Sequence, residues 1–339
     1  GRAPRLGRGA CQRSVMTIQA HTRSVSALLS GLIDYAGLFP PASLAMEPAA
    51  EEFNRRRLSP DAPALGAFVC PVSRLEELTA SARVLMPGTY ATSGYREMAS
   101  PGMAEPWPLS VVIDTDLEEA IDAIEAFNAR HAEEDGGLAL VRAVELRMPT
   151  PGFVDEALEI IPEDLRPFFE IPPEVVLGGE DPRGYVAALA GSDGCAGKIR
   201  CGGVEPSMIP APEQVARFIV ACHRGQVPFK ATAGLHHPFR AEQPLTYEAD
   251  APRAVMHGFV NVFVASALVH ESQADEARCA EIIAETDPSA FELGDDHAGW
   301  KDLRVEVDRL STARERFALG YGSCSFAEPL DDLRAMKLL

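Results

Sequence analysis

Short apolar runs alternate along the chain with longer amphipathic stretches. The runs are IDYAGLFP (33–40), LGAFVCPV (65–72), LSVVID (109–114), VRAVELRM (141–148), PFFEI (167–171), GKIRC (197–201), VPFKATAG (227–234) and GFVNVFVAS (258–266). Continuous apolar runs of this length are typical of strands covered on both faces of a parallel sheet. The pattern therefore predicts eight parallel strands, most of them followed by a helix.

The stretches between the runs carry helix signals. After the third run, Thr115 and Glu118 match a capping box, in which a hydroxyl and a carboxylate cap each other's backbone amides. Its apolar face comprises Leu117, Ile121, Ile124 and Phe127. A second helix is predicted over 212–223, with Pro212 in the first turn, where its missing N–H would have no partner anyway.

Alternating strands and helices indicate an α/β protein, and eight is the number of strands that closes a (β/α)8 TIM barrel. A doubly wound open sheet is the alternative, but its usual dinucleotide fingerprint, GxGxxG after the first strand, is absent. The barrel is therefore the predicted fold. We expect its active site at the carboxyl ends of the strands.

The sequence divides into three predicted parts. Residues 1–15 contain four arginines and no acid, which indicates a disordered leader or a transit peptide. The barrel is predicted over 16–290, with 240–256 as a loop containing a short helix. Residues 291–339 are predicted to be a C-terminal extension that packs on the barrel. Its segment GYGSCSF (320–326) is expected to cover the barrel mouth as a lid or to plug the bottom, and nothing around Cys324 marks an activated thiol.

Composition narrows the function classes. The 339 residues are 46% hydrophobic and carry a net charge of −19, so binding to a phosphate backbone is disfavoured. No apolar run is long enough to span a membrane. Seven cysteines without a CxxC motif indicate reduced thiols and hence a cytoplasmic location. We expect no nucleic-acid or membrane partner; the sequence leaves a homo-oligomer open.

Lysine is scarce in this chain. It occurs at 198, 230, 301 and 337, whereas the other 27 basic residues are arginines. A lysine inside an apolar strand therefore needs a reason beyond its charge. Arginine does not deprotonate in proteins, whereas a desolvated lysine amine can attack a carbonyl and form a Schiff base.

Polar side chains occur late in several of the predicted strands. They are Asp34, Glu145, Glu170, Lys198, Arg200, Lys230 and Thr232, and His236 and His237 follow the seventh run. Residues two apart on a strand share a face, so Lys198 lies with Arg200 and Lys230 with Thr232. Two interior lysines from neighbouring strands, together with carboxylates, would make a class I aldolase site. In such a site the imine acts as the electron sink.

Three of these segments resemble the deoxyribose-phosphate aldolase family. They are VELRMP (144–149), GKIRCGG (197–203) followed by the proline-started helix 211–225, and PFKATAG (228–234). The resemblance implies a TIM barrel in which Lys198 forms the Schiff base, Lys230 is the second catalytic lysine and Glu145 replaces the family's aspartate. Leu235 replaces the second glycine of the family's phosphate loop, so we expect phosphate binding to be weak or differently built.

The predicted activity is that of a class I aldolase-type lyase acting on a small carbonyl substrate. Lys198, Lys230 and Glu145 are the predicted catalytic residues. The predicted substrate contacts are Asp34, Glu170, Arg200, Thr232, His236 and His237. We expect neither a cofactor nor a metal ion in this site.

Other functions remain open at this point. His236 and His237, with the carboxylates, could bind Zn²⁺ or iron in a metal-dependent lyase or hydrolase. A barrel that only binds a small ligand would keep its lysines ion-paired. The same imine would also serve a decarboxylase or a dehydratase.

Overall fold

The computed structural model describes residues 21–88, 105–132, 136–192 and 194–339, and the leader expected at 1–15 lies outside them. Strands occupy β1 (Ile33–Tyr35), β2 (Leu65–Pro71), β3 (Trp107–Val112), β4 (Ala139–Arg147), β5 (Arg166–Glu170), β6 (Ala196–Arg200), β7 (Phe229–Thr232), β8 (Ala241–Pro244), β9 (Arg253–Met256), β10 (Phe291–Leu293), β11 (His297–Trp300), β12 (Leu303–Glu306) and β13 (Ala318–Ser323). Eight of them form a closed barrel in the order β1-β13-β7-β6-β5-β4-β3-β2. The predicted (β/α)8 TIM barrel is confirmed, and the open sheet is excluded.

The eighth barrel strand is not the run that the sequence analysis selected. The run at 258–266 is helical, and β13 closes the barrel by pairing in parallel with both β7 and β1. Gly320 permits this closure, because a Cβ there would lie 2.8 Å from the Leu32 carbonyl oxygen. Segment 320–326 is therefore neither a lid nor a plug. The barrel extends past 290 as far as Ser323.

Helices surround the barrel. They are α1 (Arg23–Leu29), α2 (Met46–Arg57), α3 (Leu75–Ala82), α4 (Leu117–His131), α5 (Phe153–Leu158), α6 (Pro173–Leu177), α7 (Arg183–Leu189), α8 (Pro212–Gly225), α9 (Phe259–His270), α10 (Glu276–Ala284), α11 (Val307–Arg316) and α12 (Ala327–Ala335). Asp116 caps α4 by accepting from the amides of Glu118 and Glu119, where the sequence analysis expected Thr115. None of the helices in the described ranges combines the length and apolar character needed to cross a membrane.

Helix α9 explains why its run was mistaken for a strand. Every side chain from Phe259 to Val269 is buried, so the run shows no polar face and no helical period. The side-chain amide of Asn261 in this helix has a hydrogen-bond partner for its oxygen and for both of its N–H groups. Asn261 donates to the carbonyl oxygens of Ile282 and Glu285 at 2.9 and 2.8 Å and accepts from the Arg240 amide at 3.0 Å. Burial on all sides is as favourable for a helix as for a strand, so hydrophobicity alone does not separate them.

Two small antiparallel sheets lie outside the barrel. Strands β8 and β9 form a hairpin over 241–256, where a loop with a short helix was expected. Strands β10, β11 and β12 form the second sheet. Helix α11 then leads into β13 through Phe317, whose amide donates to the Ala313 carbonyl at the end of the helix. The segment from 291 onward is thus an insertion followed by the barrel's last unit, and not an appendage.

Truncation tests the closure. A chain ending at Phe317 lacks β13 and leaves β1 and β7 with unpaired edges, so we expect it to lose its cooperative thermal unfolding transition by circular dichroism. Removal of Lys337–Leu339, which follow α12, is the control and should preserve the transition. A cooperative transition at the full-length temperature in the chain ending at Phe317 would contradict the closure by β13.

Candidate active site

Neighbouring strands place the predicted catalytic residues side by side in the barrel interior. The parallel register pairs Lys198 of β6 with Lys230 of β7, and Glu170 of β5 with Lys198. Arg200 pairs with Thr232 at the next inward-facing level. Because facing positions on adjacent strands lie about 5 Å apart, these long side chains must interact.

Glu145 is the centre of the arrangement. Its Oε1 lies 2.5 Å from the Lys230 Nζ, and its Oε2 lies 2.9 Å from the Lys198 Nζ. The Ser110 hydroxyl on β3 also donates to Oε1, at 2.6 Å. One carboxylate therefore binds both ammonium groups and a hydroxyl, which leaves it little freedom to move.

Each lysine has a second carboxylate of its own. Lys198 Nζ lies 2.7 Å from Glu170 Oε2, and Arg200 Nε approaches the other oxygen of Glu170 at 3.6 Å. Lys230 Nζ lies 2.5 Å from Asp34 Oδ2. Asp34 is held in turn by the Ala67 amide, which donates to its Oδ1 at 2.6 Å.

Burial makes these charges strongly interdependent. The side chains of Lys230 and Glu145 are 2% and 3% exposed, and those of Lys198 and Glu170 are each 7% exposed. Although burial opposes it, the neighbouring lysines hold the pKa of Glu145 well below its usual range. Lys198 likewise lowers the pKa of Glu170 although burial opposes this change. Asp34 and Glu145 raise the pKa of Lys230, again in opposition to the effect of burial. The interior therefore holds ions, not neutral groups.

A cavity of about 460 Å³ reaches Asp34 and Lys230 of this cluster from the amino ends of the strands, whereas Lys198, Glu145 and Glu170 do not line it. Asp34, Ser110, Phe168 and Lys230 line its inner part. Arg142 and other residues at the beginnings of strands line its outer part. The sequence analysis expected access at the carboxyl ends, but this cavity opens at the opposite end of the barrel.

The predicted histidines belong to a different set of contacts. His237 Nδ1 lies 2.6 Å from Asp332 Oδ2, and His236 Nδ1 lies 3.3 Å from Glu328 Oε2. Both acids are on α12, so neither of these contacts joins the lysine cluster. Within the described ranges, no group of three or more His, Cys, Asp and Glu side chains is placed to hold a metal ion.

Glycines after β6 and β7 serve backbone packing. A Cβ on Gly202 would lie 2.8 Å from the Gly234 Cα, and Gly234 adopts a φ of +72°. The first amides of α9, those of Phe259 and Val260, donate to the carbonyls of His237 and Pro238. These helix-start amides, where a phosphate would bind, are therefore used within the fold.

Two polar residues near these sites, Ser110 and Cys324, were not predicted as site residues from the sequence. Ser110 could have been predicted from the sequence, because it is the polar residue within an apolar strand run and side chains alternate between the two faces of a strand. Cys324 was considered only as a tail residue, since its position after a barrel strand is visible only once β13 is recognised.

No family model, curated protein or solved structure matches this chain. The aldolase resemblance therefore stays a prediction that rests on the three motifs, and the TIM barrel rests on the structure.

Replacing the shared carboxylate tests its central role. Glu145→Gln leaves two buried ammonium groups with one partner each, so we expect a loss of about 3–5 kcal/mol in the free energy of unfolding. Glu76→Gln is the control, because Glu76 pairs with Arg130 at the surface, where solvent screens the ion pair and a much smaller loss is expected. Equal losses in urea titrations of the two variants would contradict the buried network.

Acid should weaken the protein through the same groups. The folded-state pKa values of Glu145 and Glu170 are lowered. Their stabilisation is therefore present above the unfolded value of about 4.3 and is lost as the pH falls toward the folded values. We expect the free energy of unfolding, measured by urea titration, to decrease as the pH is lowered beneath about 4. Glu145→Gln should flatten this dependence; an unchanged slope would assign acid sensitivity to other carboxylates.

Proposed function

We propose that this protein is a class I aldolase-type lyase that forms an imine between Lys198 and a small carbonyl substrate. The observation that carries the proposal is the ionic interior. Buried ion pairs gain little or nothing over well-packed apolar side chains, and barrel interiors are ordinarily filled by branched aliphatic residues. An interior built instead from lysines and carboxylates on adjacent strands indicates chemistry.

Lys198 suits the nucleophile better than Lys230 does. Lys230 is held between two carboxylate oxygens at 2.5 Å each, and its raised pKa keeps it an ammonium. The contacts of Lys198 are longer, at 2.7 and 2.9 Å, and its side chain retains slightly more exposure. Proton transfer from Lys198 to Glu170 would free the amine lone pair.

The reaction would begin at the carbonyl carbon. The neutral Lys198 amine adds to it, the carbonyl oxygen takes up a proton, and loss of water leaves a protonated imine. The imine then accepts the electron pair of the breaking C–C bond as a carboxylate removes the hydroxyl proton, so that one fragment leaves as an aldehyde and the other stays bound as an enamine. Protonation of the enamine carbon and hydrolysis of the imine by water release the second product and restore the Lys198 amine. Glu145 is suited to proton transfer because it contacts both lysines, and the charge of Lys230 would keep it ionised.

Two of the remaining predicted residues have supporting roles in this proposal. Arg200 and Thr232 lie one inward-facing level beyond the lysines, toward the carboxyl ends, where they would contact a substrate that enters from that end. The reaction needs no metal ion or organic cofactor. A decarboxylase or dehydratase would use the same imine, so product analysis decides between these lyases.

Borohydride trapping tests the proposal. Incubation with a panel of aldehydes and keto acids, followed by reduction and peptide mass mapping, should place the adduct on Lys198. Mapping is simple because the chain has four lysines. Lys198→Arg keeps the charge but cannot form the imine, so trapping and turnover should disappear. Lys301→Arg alters a surface lysine and is the matched control.

A binding-only barrel is the second candidate, and the observed ion pairs of both lysines favour it. Ligand binding with neither a trapped adduct nor turnover would support that candidate, and full turnover in Lys198→Arg would reject imine chemistry at Lys198. An adduct on Lys230 alone would reverse the assignment of the two lysines.

Lys230→Met tests the auxiliary role of the second lysine. Without Lys230, Glu145 has one ammonium partner left and binds the Lys198 ammonium more strongly. We therefore expect the pH optimum of turnover to move upward in the pH–rate profile of kcat/KM. An unchanged optimum would show that Lys230 does not influence the nucleophile.

A further inference from the structure

Cys324 lies one residue beyond β13, at the carboxyl end of the barrel, among polar groups from several elements. His236, after β7, places its Nδ1 4.0 Å from the sulfur. The hydroxyl of Tyr247, in the tip of the β8–β9 hairpin, lies 3.6 Å from it. The backbone of Ala42, in the loop after β1, also lowers the pKa of the Cys324 thiol. Hydrogen-bond donors placed around the sulfur in this way would stabilise its negatively charged form.

Glu328 on α12 completes the cluster. Its Oε2 lies 3.3 Å from the same His236 nitrogen and 3.4 Å from the Tyr247 hydroxyl. The imidazole N–H is thus shared between a carboxylate and the sulfur. A carboxylate beside the imidazole favours its protonated form, and a protonated imidazole favours a thiolate.

The titration behaviour agrees with this geometry. Although burial opposes both changes, hydrogen bonds with Cys324 and Glu328 raise the pKa of His236 to about 9, and His236 lowers the pKa of the Cys324 thiol. The pKa of Glu328 is lowered by His236 despite its burial. Tyr35 on β1 faces the cluster too, and its pKa is raised to about 12 by burial and by Cys324.

The other cysteines of the described ranges provide an internal comparison. They are Cys70, Cys195, Cys201, Cys222 and Cys279, all buried, and burial raises the pKa of each thiol. None of them has a histidine among the groups that shift its pKa. Cys324 therefore differs from them in its surroundings and not in its depth.

Tyr247 also covers the thiol. Cys324 is 6% exposed, whereas Tyr247 is 59% exposed, so the tyrosine side chain has solvent to move into. A displaced Tyr247 would open a narrow approach to the sulfur, suited to a small molecule.

We propose that Cys324 is a nucleophilic thiolate, paired with the His236 imidazolium, that captures a small aldehyde as a thiohemiacetal. The S–C bond forms as the carbonyl π bond breaks, and the oxygen receives the proton from His236. Addition needs no oxidant and expels no leaving group. An aldehyde fits because the cluster supplies what the addition requires, a thiolate and an adjacent proton donor. This site does not depend on the imine chemistry proposed for Lys198.

Alkylation tests the thiolate. In the full-length protein at pH 6.5, iodoacetamide should label Cys324 at least about tenfold faster than Cys195, because an ordinary thiol with a pKa of about 8.5 is protonated there. His236→Gln should lower the Cys324 rate about tenfold and move its pH profile upward. His237→Gln, which alters the neighbouring histidine bound to Asp332, should leave it unchanged. Equal rates at Cys324 and Cys195, or an equal effect of both substitutions, would overturn the thiolate assignment.

Protection tests the aldehyde. In a Lys198→Arg background, where no imine forms at that residue, glycolaldehyde should slow alkylation of Cys324 but not of Cys195. The protection should disappear after gel filtration, since a thiohemiacetal is reversible. Undiminished labelling at saturating glycolaldehyde would overturn the aldehyde assignment, whatever the outcome of trapping at Lys198.

Discussion

The barrel interior depends on one carboxylate shared by two ammonium groups. Glu145 contacts Lys198 and Lys230 through different oxygens, so neither lysine can be repositioned without affecting the other. Asp34 and Glu170 then add two negative charges from opposite sides, and Arg200 beside Glu170 balances the sum. Each member is tolerable in the interior only because the others are present, since an unpaired buried charge is far more costly than a pair. The strands must therefore pair in one register, because a slip of a single residue would turn these ions toward the helices.

The ionic centre could be predicted from the sequence because side chains alternate between the two faces of a strand. Lys198 and Arg200 are two residues apart, as are Lys230 and Thr232, and period-two spacing directs such pairs to one face. Seven of the predicted strands lie where apolar runs with β-branched and aromatic residues indicated them. The motifs with lysine at 198 and 230 then pointed to adjacent strands, which the register pairs directly.

The rest was inaccessible for identifiable physical reasons. The run at 258–266 is buried on every side, so its hydrophobicity contains no periodicity that would distinguish a helix from a strand. The true last strand, AlaLeuGlyTyrGlySer, contains two glycines, and glycine is depleted in strands generally. Missing β13 concealed the position of Cys324 and, with it, the reason why His236 faces α12. The cavity at the amino ends is a property of side-chain packing that one-dimensional patterns do not contain.

The two proposed nucleophiles, the lysine amine and the Cys324 thiolate, lie at different heights in the barrel. Gly320 of β13 lies at the level of Lys230, and Cys324 follows four residues later. At about 3.3 Å per residue, the thiol lies about 13 Å further toward the carboxyl ends. Amines and thiolates both add to carbonyl carbons, so the two proposals together assign the same class of molecule to two distinct environments of one fold.

Closure by the last strand also governs when the fold can be completed during synthesis. Ile33 pairs with Tyr321, so the second neighbour of β1 in the barrel is synthesised only when nearly the whole chain has been made. A growing chain emerges from the ribosome at about 5–20 residues per second. Until β13 is made, a sheet formed by the other seven strands has open edges at β1 and β7. Open strand edges can pair with other chains, so the incomplete barrel is the form of this protein that we expect to be most prone to aggregation.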